Sequence, residues 1–260
     1  MSSTTSDASI SNGQRWGSRI LIGLSALFLI ADAAGKLGRL APVIEATTKL
    51  GFPDHLIQPI GAVLLIGAIV YLIPRTSVLG VILLTGYLGG AVATHVRAGS
   101  DWFPILFPVA IGVLLWGGLY LGDRRLHSLL PLTTTAPAAS GKMLWAGRIL
   151  SALPTLLLIF SGVMKLMKPA PVLEGFAKFG YQEHSLLGIA IVELACAALY
   201  LIPQTAVLGA ILLTGYLGGA TMTHLRIGDP FLMTVVVGVA LWGGLHLRDE
   251  RLRALLPLRS

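Results

Sequence analysis

"ILLTGYLGGA" occupies Ile82–Ala91 and recurs letter for letter at Ile211–Ala220. A threonine, a histidine and an arginine follow each copy: Thr94, His95 and Arg97 in the first, Thr223, His224 and Arg226 in the second. The identity extends outward at a constant offset of 129, which matches Trp16 to Trp145, Arg19 to Arg148, Lys36 to Lys165, Pro42 to Pro171, Gly51 to Gly180 and His55 to His184. "YLIP" at 71–74 recurs at 200–203. Three extra residues enter the first copy near Asp101, after which "WGGL" at 116–119 matches 242–245 at offset 126. Self-similarity over such a length is the mark of a tandem duplication.

The composition says in which solvent the duplicated unit lives. Of 260 residues, 55% are hydrophobic and 12% charged, with a mean hydropathy of +0.80, whereas soluble domains carry about 25% charged residues. Apolar runs at 20–34, 57–73, 77–95, 103–121, 148–164, 186–202, 206–224 and 231–247 approach the ~20 residues that a helix needs to cross a bilayer. They are long and rich in Leu, Ala and Gly, unlike the short alternating segments of a membrane barrel. The expectation is an all-α, polytopic membrane protein with eight transmembrane helices, arranged as two four-helix bundles. Four spans per unit make both copies start from the same side, so the bundles are parallel repeats about an axis along the membrane normal.

The domains read as a disordered polar tail over 1–15, a first unit over 16–132, a linker over 133–142 that contains "TTTAPAAS", and a second unit over 143–260. Short amphipathic segments are expected near 42–50 and 171–179. Gly86 with Gly90, and Gly215 with Gly219, form GxxxG pairs that admit a neighbouring helix close to the backbone.

The net charge of +7 does not indicate nucleic acid, because most of the arginines fall on the side that holds both termini. That bias places both termini in the cytoplasm. A single cysteine, Cys196, excludes a disulfide framework, a CxxC motif and a cysteine metal site.

Ionisable residues inside a membrane span are costly and mark sites. In the second unit these are Lys165 at the end of the first span, Glu193 within the second, and His224 and Arg226 at the end of the third, with Tyr216 two turns deeper than His224. Glu193, His224 and Lys165 form the expected catalytic group, and Arg226, Tyr216, His95, Lys36 and Arg97 the expected cofactor-binding residues; no metal is expected. In the first unit Leu64 stands where the second has Glu193, and Asp32 stands where it has Ser161. Asp32 is one turn from Lys36 and positioned to pair with it. The second unit, with its carboxylate beside Lys and His, is therefore the expected active one. The plainer reading of the lysines and arginines is snorkelling to the interface, and that of His224 is a helix cap.

"KPAPVLEGFAKFGY" at 168–181, "IVELACAALYLIP" at 191–203, "GAILLTGYLGGATMTHLR" at 209–226 and "VALWGGLHLRDERLRALLPL" at 239–258 together resemble the DoxX-like family of bacterial membrane proteins. The resemblance is close over 143–258 and looser over 16–132. It implies a four-helix membrane unit, here in tandem, in the bacterial cytoplasmic (inner) membrane. It also implies a superfamily that includes thiosulfate:quinone oxidoreductase subunits and redox-stress components. Family features fall on Lys165, Glu193, His224 and Arg226, and on Lys36, His95 and Arg97; Leu64 departs from the pattern.

The resulting expectation is a quinone-linked oxidoreductase subunit that receives electrons from a small reductant or from a soluble or membrane redox partner, in contact with the lipid bilayer. The alternative is a non-catalytic binding or transport protein for a lipid-like or small anionic molecule.

Overall fold

A computed structural model describes residues 10–132 and 141–256. The first unit consists of α1 (Asn12–Leu37), α2 (Ala41–Lys49), α3 (Ile57–Leu72), α4 (Ser77–Arg97), α5 (Trp102–Gly122) and a short α6 (Arg124–His127). The second repeats it as α7 (Lys142–Met167), α8 (Ala170–Lys178), α9 (Glu183–Leu201), α10 (Ala206–Arg226), α11 (Leu232–Arg248) and α12 (Glu250–Arg253). The chain is all-α. Among the described residues seven spans are long and apolar enough to cross a membrane, α3 qualifying together with the 3-10 turn Asp54–Leu56 that continues into it as Asp54–Leu72, and α11 is a shorter apolar helix. Its 17 residues give a length of ~25 Å at ~1.5 Å per residue, short of a ~30 Å hydrocarbon core. The cause is legible: the three residues that the second copy lacks fall just before α11, so it begins about a turn later than α5. The expected amphipathic segments are α2 and α8, each opened by a proline in its first turn, where the missing N–H costs nothing.

Within each unit the four long helices form a closed ring of neighbours, α1–α3–α4–α5 and α7–α9–α10–α11. Equivalent side chains lock the two rings. Tyr71 donates to the carbonyl of Leu115 at 3.0 Å and Tyr200 to that of Leu241 at 2.7 Å. Trp116 Nε1 donates to Thr85 Oγ1 at 3.0 Å and Trp242 Nε1 to Thr214 Oγ1 at 2.8 Å. The threonine of the repeated decapeptide thus receives the tryptophan of "WGGL". These bonds are made where lipid offers no competing water.

The glycines of the decapeptide join the units. Helices α4 and α10 cross so closely that a β-carbon on Gly89 would overlap the backbone of Gly215, and one on Gly218 would overlap that of Gly86. The contact centres on the i,i+3 pairs Gly86/Gly89 and Gly215/Gly218 rather than on the expected i,i+4 pairs. A β-carbon on Gly90 would instead meet Met222 Cβ at 3.2 Å, and one on Gly219 would meet Ala93 Cβ at 2.9 Å. In a membrane such contact rests on packing alone, since burial from lipid carries no hydrophobic gain. The sequence is kept twice because each copy is the other's partner.

Both described termini lie on one face. The start of α1 packs on the end of α5, with Ser18 donating to the carbonyl of Gly118 at 2.7 Å, and Gly147 of α7 abuts Gly244 of α11. On the same face Arg251 donates to the carbonyl of Ser128 at 3.1 Å, which ties the end of the second unit to the first.

The polar tail expected over 1–15 needs correction in its last part. Helix α1 begins at Asn12, because Ser11 and Gln14 form a reciprocal capping box: Gln14 N donates to Ser11 Oγ at 3.2 Å and Ser11 N to Gln14 Oε1 at 2.9 Å. Two orphan donors are satisfied in this way, which favours a helix start. Residues 1–9 and most of the expected linker lie outside the described residues.

Candidate functional site

In the second unit Lys165 Nζ lies 2.8 Å from Glu193 Oε2. The lysine also donates to Ser161 Oγ, one turn back along α7. Tyr216 of α10 sits beside the same carboxylate. The pair is sealed, with the lysine side chain 10% and the glutamate side chain 1% exposed. Two charges in such a place lose most of their hydration, and their mutual attraction and hydrogen bonds offset that loss.

The first unit reaches the same chemistry by another route. Lys36 pairs with Asp32 of its own helix, and Tyr87, the counterpart of Tyr216, sits beside Asp32. Leu64, where Glu193 would be, is fully buried core. Each unit therefore has one carboxylate for its lysine and tyrosine, brought by α1 in the first and by α9 in the second. The leucine at 64 does not leave the first unit's lysine without a carboxylate, since Asp32 pairs with it. The first pair is also more open, with Lys36 at 13% and Asp32 at 31% side-chain exposure. Exchanging the arrangement within the first unit, Asp32→Ser with Leu64→Glu, is expected to leave thermal stability in detergent within about 1 kcal/mol of the parent. Unfolding of the double variant in a melting experiment would show that the two pairs are not equivalent.

A cavity of about 390 Å³ opens in the first unit, with Asp32, Lys36, Tyr87 and His95 among its lining residues. Thr47 and Leu50 of the α2 segment form part of its wall, Phe28 and Phe107 another part, and Met222 reaches it from the second unit. Phe28 and Phe107 meet edge to face at 5.3 Å and are exposed on the surface that faces lipid. At the positions equivalent to Thr47 and Leu50 the second unit has Phe176 and Phe179. Phe176 lies under Lys165, with Nζ 5.8 Å from its ring centre, and Phe179 lies edge-on to His224 at 4.8 Å. The two phenylalanines occupy the ground between lysine and histidine that the first unit leaves open.

The expected site residues therefore divide. Lys36 and His95 share a cavity with Asp32 and Tyr87. Lys165, Glu193 and Tyr216 form a closed cluster, and His224 is not hydrogen-bonded to it among the described residues. The neighbours of His224 are Phe179 and, at 4.0 Å, Asp229. His95 Nδ1 is bonded to Ser100 Oγ at 3.0 Å, which leaves Nε2 as its available nitrogen.

Arg97 and Arg226 stand apart from both clusters, on the axis between the units. Arg97 donates to the carbonyl of Leu50 and Arg226, at 2.6 Å, to that of Phe179. Tyr181 is close to both guanidiniums, and its hydroxyl is bonded to Thr223 Oγ1 at 3.1 Å and to the carbonyl of Ala93 at 3.3 Å. Burial pushes that hydroxyl above the ordinary phenol range, so it remains a protonated donor at neutral pH. Thr47, Leu50, Phe176 and Phe179 are not among the expected site residues, although the offset of 129 sets a threonine and a leucine against two phenylalanines within an otherwise matching frame.

No curated protein matches the chain, and no solved structure matches it. The family model for the DoxX-like family matches twice, over residues 20–118 and 149–244. The two matches fall on the two structural units and cover well over half of the sequence, so the chain belongs to the DoxX-like family, with the family's unit present in tandem.

Proposed function

We propose that this protein is a quinone-linked membrane redox subunit in which the first unit seats the quinone ring. The observation that carries this reading is the first-unit cavity, which opens among lipid-exposed phenylalanines and is lined by Asp32, Lys36, Tyr87 and His95. A quinone head group needs an apolar slot reached from the bilayer, a donor for each carbonyl oxygen and a group that exchanges protons, and these residues fit that need. When bound, a quinone supplies the two-electron redox chemistry. Lys36, oriented by Asp32, offers an N–H to one carbonyl oxygen. His95, oriented through Nδ1 by Ser100, holds or accepts a proton at Nε2 on the other side. The Lys165–Glu193 pair, closed over by Phe176, serves as a structural clamp between α7 and α9. Electrons come from a redox partner or a small anionic reductant on the face opposite the termini. The arginine-rich termini face, with Arg15, Arg124, Arg148 and Arg248, is cytoplasmic in this reading.

The test is titration of the full chain in mild detergent with a short-chain ubiquinone. Saturable binding is expected, weakened roughly tenfold by His95→Ala, or about 1–2 kcal/mol for losing a buried hydrogen-bond partner. His224→Ala should leave affinity within about twofold of the parent. Absence of saturable binding, with a phospholipid recovered from the purified protein by mass spectrometry, would favour the non-catalytic lipid-binding reading instead.

A further inference from the structure

Apart from Arg97 and Arg226, the lysines and arginines on the face opposite the termini are each matched with a carboxylate. Glu45 binds Lys49 at 2.7 Å, Asp54 binds Arg39 at 2.7 Å, Glu183 binds Lys168 at 2.9 Å and Asp229 binds Lys178 at 3.0 Å. Arg97 and Arg226 are the exceptions at the centre of that face: among the described residues neither has a carboxylate partner, and each makes one hydrogen bond, to a main-chain carbonyl. A guanidinium carries five N–H donors, so most of theirs are unspent. Arg226 Nε in particular has no partner.

The two cations also face each other. A β-carbon on Gly51 would lie 3.5 Å from Arg97 Nη2 and 3.7 Å from Arg226 Nη1. One on Gly180 would lie 3.6 Å from Arg226 Nη2 and 3.7 Å from Arg97 Nη1. Both glycines have positive φ, 79° and 77°, and both are exposed. They turn the chain after α2 and α8 and, lacking side chains, leave an open notch over the guanidiniums. The ends of α4 and α10 contribute about half a negative charge each, so two guanidiniums leave roughly one positive charge unbalanced. The arrangement repels itself as it stands, and an anion on the axis would relieve it.

We propose that Arg97 and Arg226 together bind a phosphate-type oxyanion in this notch, on the pseudo-two-fold axis. Forked donors from two sides suit a tetrahedral oxyanion better than a point charge. The group is either a free anion in water or the headgroup phosphate of an anionic phospholipid in the adjoining leaflet. The site uses one residue from each unit, so it depends on the α4–α10 seam and is independent of the quinone reading.

Melting of the full chain in uncharged detergent, with inorganic phosphate titrated against chloride at matched ionic strength, tests the free-anion source. A saturable rise in Tm of several degrees is expected at about a hundred times the half-saturating concentration. Native mass spectrometry from phosphatidylglycerol-containing nanodiscs tests the lipid source, which predicts one retained phosphatidylglycerol per chain and no response to phosphate until it is stripped. Arg97→Gln with Arg226→Gln keeps an N–H for each main-chain carbonyl and should abolish whichever response is seen. Should that double variant fail to fold, Arg226→Lys, which keeps the charge and loses the fork, is expected to weaken the response at least fivefold. Equal responses to phosphate and chloride, together with no retained anionic lipid, would overturn the proposal, as would a response that survives in the double glutamine variant.

Discussion

Gly89→Leu is expected to pull the two units apart. The position of its β-carbon is already taken by the main chain of Gly215, so α4 and α10 must separate before any side chain fits. No flexible atom can yield, because the obstruction is backbone. Main-chain overlap of this type belongs to the tail of substitution effects, about 4 kcal/mol or more. Gly218→Leu should cost a similar amount, since its obstruction is the backbone of Gly86. Gly23, whose β-carbon would meet nothing within 4 Å, is the control: Gly23→Leu on the lipid-facing side should change Tm by no more than a degree or two. Differential scanning fluorimetry in detergent checks all three. A Gly89→Leu protein that melts with the parent would mean that α4 and α10 do not cross at this point.

The second large effect is expected at the sealed pair. Lys165→Met removes the only ion-pair partner of Glu193 among the described residues, leaving a carboxylate of 1% exposure without a counter-charge. Breaking one side of a buried pair costs about 3–5 kcal/mol, whereas replacing both sides with apolar residues of similar volume is often neutral. Lys165→Met combined with Glu193→Leu should therefore recover most of the stability lost in the single variant. In the first unit Lys36→Met should cost distinctly less, because Asp32, at 31% side-chain exposure, lines an open cavity rather than a sealed contact. If the double variant is no better than Lys165→Met alone, the unpaired charge is not the source of the loss, and the hydrogen bonds of the pair themselves hold α7 to α9.

These two predictions rest on features of very different legibility. The duplication, the number of apolar segments and the Asp32–Lys36 spacing are sequence properties, because each depends on local periodicity or on the hydrophobic requirement of a bilayer. The choice of Gly86/Gly89 over Gly86/Gly90 is not, since it depends on the rotation of α4 against α10, and that is set by packing across the whole seam. Lys165 and Glu193 are recognisable as a pair by the cost of burying each alone. Which unit keeps an open cavity was harder to see. Ionisable residues drew attention to the second unit, but volume decides the matter: Phe176 and Phe179 fill what Thr47 and Leu50 leave free. The start of α1 lies within the stretch that composition assigns to a tail, because a tail is judged by average polarity whereas the start depends on one local pair, the Ser11–Gln14 capping box.

Duplication followed by divergence accounts for this pattern. The seam must stay self-complementary, so the decapeptide is constrained twice. The pockets are not so bound: the second has its carboxylate on α9 and phenylalanines beside its lysine and histidine, while the first has its carboxylate on α1 and an open cavity. A site built from one arginine of each unit lies between them.

Photolabelling with an azido-substituted short-chain quinone, followed by proteolysis and mass spectrometry, tests the divergence of the two pockets most directly. Adducts are expected in peptides that contain Thr47–Leu50 and Phe107, and Thr47→Phe with Leu50→Phe should abolish them by giving the first unit the second unit's plug. Adducts concentrated on the Phe176–Tyr181 and His224 peptides, unaffected by that double substitution, would contradict the account.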